Sequence, residues 1–111
     1  MSDSIPKVSI VIPHWNNVEI LSECLKSIGS TIYPDFEVIV VDNASTDNSV
    51  QYVKSNFPDV KLIENDKNYG YAGGCNIGAN LAQGDYLVFL NNDTIQDSDW
   101  ISSLFSTIKS N

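Results

Sequence analysis

The chain contains no arginine, and its 6 lysines face 14 acidic residues, which gives a net charge of −8. Proteins that bind a nucleic-acid backbone need clustered cations on one face. The composition therefore argues against nucleic acid as a partner. It also means that any anionic ligand would need local help to bind, from a helix N-terminus or a metal ion.

Cysteine is scarce, and long apolar segments are missing. Cys24 and Cys75 lie far apart without the spacing of a metal-binding pair, so we expect two buried, unpaired thiols. No basic-then-apolar leader opens the chain, and no apolar run is long enough to cross a bilayer. We therefore expect a cytoplasmic protein. With 42% hydrophobic and 18% charged residues, residues 1–111 are predicted to form a single globular domain.

Apolar strand-like runs alternate with helical patterns along the whole chain. Strands are predicted at 7–12, 36–41 and 60–63 and in the apolar run that opens at Gly84, which we interpret as a strand buried on both faces. Residues at helical spacing follow each run: Ile20 to Ile28, Val50 to Phe57, Ile77 to Ala82, and Ile101 to Ile108. This order predicts an α/β, Rossmann-like parallel sheet with helices on both faces.

Polar clusters follow the four predicted strands, and ligands of open α/β sheets bind beyond the carboxyl ends of strands. The clusters are 13–16, 42–43, 65–68 and 91–93. Pro13 is expected to end the first strand, because proline cannot donate to a sheet ladder. Strand ends also need turn and cap residues, which accounts for Ser45 and Asp47 equally well.

Single residues at this edge have two readings each. Trp15 is suited to stack on a nucleobase or to pack over the sheet end. Asp42 and Asn43 can bind a base or ribose, or form an Asx-type turn. His14 lacks an identifiable carboxylate partner and is interpreted as a loop residue rather than a catalytic base.

The glycine-rich segment 70–74 is predicted to open a helix whose N–H groups attract phosphate, with Lys67 as the one cation nearby. Asp93 is a hard oxygen ligand suited to Mg²⁺ or Mn²⁺ when substrate phosphates complete the shell. The other reading of Asp93 is a helix cap.

Taken together, four motifs in order resemble the nucleotide-binding half of family 2 glycosyltransferases with the GT-A fold, most similar to the rhamnosyltransferase-like branch. The motifs are Val8–Pro13 with Trp15 and Asn16, Val40–Asp47, Asn68–Gly74 with Asn76, and Gly84–Tyr86 through Asn91, Asn92 and Asp93.

The resemblance implies inverting transfer of a sugar from a UDP- or dTDP-linked donor to a glycan or lipid-linked acceptor. It implies donor contacts from a set of ten residues and a divalent metal at Asp93. The ten are Pro13, Trp15, Asp42, Asn43, Lys67, Asn68, Gly73, Asn76, Asn91 and Asn92. Asparagine at 43, 91 and 92 departs from the family's more acidic pattern.

Members of this family are longer, and their general base is an acid beyond this motif. We therefore expect the base beyond Asn111, in a protein of which this chain is the N-terminal part, peripherally associated with the membrane. Alternatively, the chain is a donor-binding module without activity.

Two other functional classes are disfavoured. An oxidoreductase would need a Gly-x-Gly-x-x-Gly motif after the first strand, and none follows it. A phospho-acceptor domain would need an acidic cluster after the same strand, and none is present there. We also expect apolar surface on the fourth strand or last helix, and hence a homo-oligomer.

Overall fold

The structure is a computed structural model that describes residues 5–110, with side chains described through residue 108. Four strands and four helices alternate in it. They are β1 (Val8–His14), α1 (Val18–Gly29), β2 (Phe36–Asp42), α2 (Ser49–Asn56), β3 (Lys61–Glu64), α3 (Gly70–Leu81), β4 (Tyr86–Phe89) and α4 (Trp100–Ser110). The strands form one parallel sheet in the order β3-β2-β1-β4. The alternating order predicted from the sequence is confirmed.

Hydrophobic cores cover both faces of this sheet. The larger core joins alternate residues of β1, such as Ile10 and Ile12, to α1, α2 and α4. The smaller core joins Val11, Ile39 and Val41 to α3. Because side chains of a strand alternate between faces, one apolar run supplies both cores. Helices therefore lie on both faces, as predicted.

Helix α3 approaches the sheet through small residues. Gly74, Cys75 and Gly78 form its buried face, whereas Leu81 is 55% exposed. A Cβ on Gly78 would collide with Cγ1 of Val11, so glycine allows the close approach of helix and strand. Of the apolar residues predicted for this helix, Ile77 and Ala82 pack against the smaller core and Leu81 does not. The buried glycines could not be predicted from periodicity, because glycine carries no hydrophobic signal.

Strand β1 continues through Pro13 to His14, so the prediction that Pro13 ends it was wrong. The carbonyl of Val11 accepts from Leu90 N on the β4 side, and the carbonyl of His14 accepts from Asn43 N on the β2 side. Pro13, two residues after Val11, therefore turns its nitrogen toward the β4 side, beyond the last ladder pair Val11–Phe89. The missing N–H has no ladder partner to lose there.

Strand β4 is an edge strand and pairs only with β1 among the described strands. Tyr86, Leu87 and Phe89 are 49%, 44% and 43% exposed, so the interpretation of this run as a buried strand was wrong for this chain. The expected apolar surface is confirmed on β4, and on α4 at Leu104 and Ile108.

Two simpler expectations concern the thiols and the lengths of the helices. Cys24 and Cys75 are both buried and unpaired, as predicted. Within residues 5–110, none of the helices combines the length and apolar character needed to cross a membrane.

Candidate functional site

A cleft of about 250 Å³ lies at the carboxyl edge of the sheet. It brings together five predicted donor-site residues, Pro13, Trp15, Asn43, Asn68 and Asn92. His14, which the sequence did not single out for this role, also lines it, together with Gly70 and Tyr71 of the glycine-rich segment predicted to attract phosphate. The lining contains amides and aromatic rings but no carboxylate and no lysine, so its polar groups are suited to neutral hydroxyl or amide partners.

Five other predicted residues do not line this cleft, namely Asp42, Lys67, Gly73, Asn76 and Asn91. The Lys67 ammonium lies 5.1 Å from the centre of the Tyr69 ring, in a cation–π contact. Asn91 is exposed, and its carbonyl accepts from Thr94 Oγ1 at 2.9 Å. Gly73 and Asn76, three residues apart in α3, share a face of the helix that differs from the face packed on the sheet.

Asp42 and Asn43 are buried and hold loops in place. Both carboxylate oxygens of Asp42 accept from Ser45, from its N–H at 2.9 Å and its hydroxyl at 2.6 Å, which is the Asx-type alternative. Asn43 Oδ1 accepts from Asn65 Nδ2 at 2.9 Å and from Tyr69 N at 3.2 Å, and Nδ2 donates to Gly70 O at 3.2 Å. Asn43 thus links the end of β2 to the segment that opens α3.

Hydrogen bonds connect the loop after β1, which carries Trp15, to the loop after β2. Asn16 Oδ1 accepts from the N–H groups of Thr46 at 2.7 Å and Asp47 at 3.3 Å. Asp47 Oδ2 accepts from Val18 N at 3.1 Å, at the start of α1. The bond to Val18 N satisfies one of the backbone groups that a helix N-terminus leaves without partners. Together, these hydrogen bonds fix the loop that carries Trp15, which is 52% exposed at the rim of the cleft.

His14 is the last residue of β1 and is only 2% exposed, so its interpretation as a loop residue was wrong. Its Nε2 lies 2.9 Å from Ser49 Oγ, and its Nδ1 lies 2.9 Å from Asn92 Nδ2. Burial lowers the pKa of His14, although Asp42 and Asp47 oppose the shift. The sequence held a signal for this position, because His14 continues the alternation of Ile10 and Ile12 toward the core face.

Asp93 follows Asn92 in sequence but does not line the cleft at the carboxyl edge of the sheet. It borders a second, open cleft of about 300 Å³ with Glu19, Ile20, Glu23 and Ile95. Its carboxylate is exposed, and among the described residues no group of three or more His, Cys, Asp or Glu side chains is placed to hold a metal. A cation at Asp93 would therefore depend on water and ligand oxygens for most of its shell.

Comparisons with known proteins agree with this geometry. Residues 9–111 match the family model of glycosyl transferase family 2. The chain belongs to this family. The glycosyltransferase AglE of Haloferax volcanii is 30% identical over 97% of this chain and 37% of that protein.

Two solved structures are similar to this family 2 chain. S. aureus TarS 1–349 in complex with UDP-GlcNAc aligns with a TM-score of 0.83 and 26% identity, over 94% of this chain and 31% of that one. The mannosyltransferase PcManGT from Pyrobaculum calidifontis, in complex with GDP-Man and Mn²⁺, aligns with a TM-score of 0.75 and 30% identity, over 84% and 29%. The predicted GT-A fold is confirmed, and the chain spans about a third of the length of these relatives.

Proposed function

We propose that residues 1–111 form the donor-binding domain of an inverting glycosyltransferase. The donor is a UDP- or dTDP-linked sugar, the acceptor is a glycan or a lipid-linked molecule, and the chain is proposed to belong to the rhamnosyltransferase-like branch. The observation that carries the proposal is the cleft at the carboxyl edge of the sheet, lined by Trp15, Asn68 and Asn92. The bound UDP-GlcNAc and GDP-Man of the two similar structures support the same ligand class.

The cleft is suited to the nucleoside part of such a donor. Trp15 offers an exposed indole face for stacking on a base, and base–aromatic stacking contributes about 1–3 kcal/mol in nucleic-acid complexes. The amides of Asn68 and Asn92 offer partners for ribose or base groups. The lining carries no charged side chain, which suits these neutral groups.

The diphosphate is proposed to lie toward Asp93. An exposed carboxylate that accepts no hydrogen bond from the described residues fits a Mg²⁺ or Mn²⁺ ion whose remaining ligands are phosphate oxygens and water. Such an ion would supply positive charge to the leaving diphosphate, a charge that no arginine of this chain can provide.

The general base is not among the residues lining the cleft. No carboxylate lies there, and both ring nitrogens of His14 are within hydrogen-bond distance of protein partners. We therefore place the base beyond Asn111, and loss of such a base commonly costs about 10²–10⁴-fold in rate. The 111-residue chain is expected to bind donor and to transfer little, as a donor-binding module would.

Calorimetric titration tests the nucleotide site. UDP, dTDP and GDP are titrated into the 111-residue chain, into Trp15→Ala and into Ile32→Ala, whose side chain is 73% exposed and lies away from the cleft. We expect Trp15→Ala to weaken binding about tenfold through lost stacking, with Ile32→Ala within twofold. Failure of every nucleotide to bind the unaltered chain would refute the proposal.

The metal site is tested by the same titration with Mn²⁺ or with EDTA. Asp93→Asn is expected to abolish the gain in UDP affinity that Mn²⁺ gives, because an amide oxygen is a neutral and weaker ligand. Asp97→Asn, at another exposed carboxylate of the same segment, serves as the control. An unchanged Mn²⁺ effect in Asp93→Asn would remove this residue from the metal site.

Location and assembly complete the proposal. We place the protein in the cytoplasm, at the cytoplasmic face of a membrane when its acceptor is lipid-linked. The exposed apolar residues of β4 and α4, Leu87, Phe89, Leu104 and Ile108, favour pairing of two copies of the isolated chain. A monomeric mass by light scattering at high concentration would contradict that pairing.

A further inference from the structure

A chain of hydrogen bonds runs from α2 across the end of β1 to the cleft. Asp47 Oδ1 accepts from the Ser49 hydroxyl, Ser49 Oγ lies 2.9 Å from His14 Nε2, and His14 Nδ1 lies 2.9 Å from Asn92 Nδ2. Ser49 is 1% exposed, and Asn92 lines the cleft. These hydrogen bonds therefore connect the loop that carries Asp47 to Asn92 in the wall of the candidate site, although the two residues are more than 40 positions apart in sequence.

The direction of each bond follows from the chemistry of the groups. An ionised carboxylate only accepts, so the single hydroxyl hydrogen of Ser49 goes to Asp47. Burial would raise the pKa of Asp47, but hydrogen bonds from Ser49 and Val18 outweigh it and hold that pKa below its usual value. Ser49 Oγ is then left to accept the Nε2–H of His14.

The direction of these hydrogen bonds determines which ring nitrogen of His14 carries the proton. With its proton on Nε2, the neutral ring has an unprotonated Nδ1, which accepts from Asn92 Nδ2. The amide of Asn92 is then held with its nitrogen toward His14. Its Oδ1 accepts no hydrogen bond from the described residues and is left for a ligand in the cleft.

We propose that His14, held by Ser49 and Asp47, is a positioning residue that fixes the Asn92 amide. In this orientation, Asn92 Oδ1 accepts a hydrogen bond from an O–H group of the bound nucleotide complex. This inference rests on the proposed nucleotide-sugar site. The O–H group belongs either to the ribose or to a cation-bound water, and the two sources differ in their dependence on Mn²⁺.

The hydrogen-bond chain is tested first, without any ligand. His14 is the only histidine, so ¹⁵N NMR of the imidazole shows one ring. We expect the neutral tautomer protonated at Nε2 near neutral pH. Asn92→Asp, at a partly exposed position, is expected to move the proton to Nδ1 or to protonate both nitrogens, because a carboxylate cannot donate to Nδ1. An Nδ1–H tautomer in the unaltered chain would overturn the proposal.

Binding of UDP tests the consequence for the ligand. Ser49→Ala removes the acceptor of Nε2–H, so we expect a mixed tautomer and UDP affinity lowered about five- to tenfold. Ser22→Ala is the matched control, since Ser22 on α1 is also buried (6% exposed) and lies outside the cleft lining. Its hydroxyl forms a hydrogen bond of 2.8 Å with the hydroxyl of Tyr52. We expect Ser22→Ala to keep both the tautomer and the affinity within twofold.

The outcomes separate this inference from the proposed function. Equal UDP affinity of Ser49→Ala and Ser22→Ala, while the unaltered chain binds, would overturn the positioning role alone. Absence of binding of UDP, dTDP and GDP to the unaltered chain would overturn the donor site itself. A loss in Ser49→Ala that persists in EDTA assigns the hydroxyl to the ribose, and a loss seen only with Mn²⁺ assigns it to a cation-bound water.

Discussion

Glu37 lies where three parts of the fold meet, and its replacement tests how a buried carboxylate holds them together. Its side chain is 8% exposed. One oxygen accepts from Gln83 N at 2.7 Å and from the hydroxyl of Ser9, and the other lies 2.6 Å from the Lys61 ammonium. The carboxylate of β2 thus binds β1, β3 and the segment before β4. Glu37→Gln removes the charge while keeping the shape of the side chain.

The magnitude follows from the pKa of Glu37. Burial raises it, but the N–H of Gln83, the charge and hydrogen bond of Lys61 and the hydroxyl of Ser9 outweigh burial and lower it from 4.5 to about 2. Such a depression corresponds to about 3 kcal/mol of folding free energy. Lys61 is 46% exposed and therefore partly screened by solvent. We expect Glu37→Gln to cost about 2–3 kcal/mol near neutral pH.

The sign of the pH dependence is fixed by the lowered pKa. Glu37 contributes its full stabilisation above pH 4.5, and this is lost as pH falls toward about 2, because the unfolded chain binds the proton first. Urea unfolding of the original chain and of Glu37→Gln should therefore converge through that range.

A second ion pair gives the control. Lys54 and Glu64 lie 2.8 Å apart, but their side chains are 58% and 50% exposed. Glu64→Gln is expected to cost about 0–1 kcal/mol. A cost for Glu37→Gln no larger than that for Glu64→Gln, or one that persists unchanged below pH 4.5, would refute the reasoning.

Two further predictions concern the packing of α3 and the amide at position 43. Gly78→Ala should destabilise the chain by about 1–3 kcal/mol, since the added methyl group collides with Val11. Gly29 has open space around it, so Gly29→Ala should stabilise α1 by about 0.5–1 kcal/mol. Equal urea midpoints for the two variants would contradict this prediction. Asn43→Asp should cost about 1–3 kcal/mol near neutral pH, because a carboxylate oxygen would face Gly70 O, and acidification should recover part of that loss in urea unfolding. An Asn43→Asp chain as stable as the original at neutral pH would show that the bond from Nδ2 contributes little.

The sequence by itself determined the order of strands and helices and the edge at which the site lies. Apolar runs such as that of β2 carry this information locally, because strand and helix periodicities depend on neighbouring residues. The alternation then required a parallel sheet, and a parallel sheet places every strand end at one edge. Trp15 and Asn92 were found in this way.

Tertiary structure alone decided which polar residues the fold uses for itself. Asp42 and Asn43 occupy positions that a ligand-binding reading suits, yet their side chains are engaged by Ser45 and by the segment that opens α3. His14 looked like a loop residue, but the burial that lowers its pKa and the partner Ser49, 35 residues away, exist only in the folded chain. Hydrogen-bond partners so distant in sequence leave no periodic signal, so only the fold could show them.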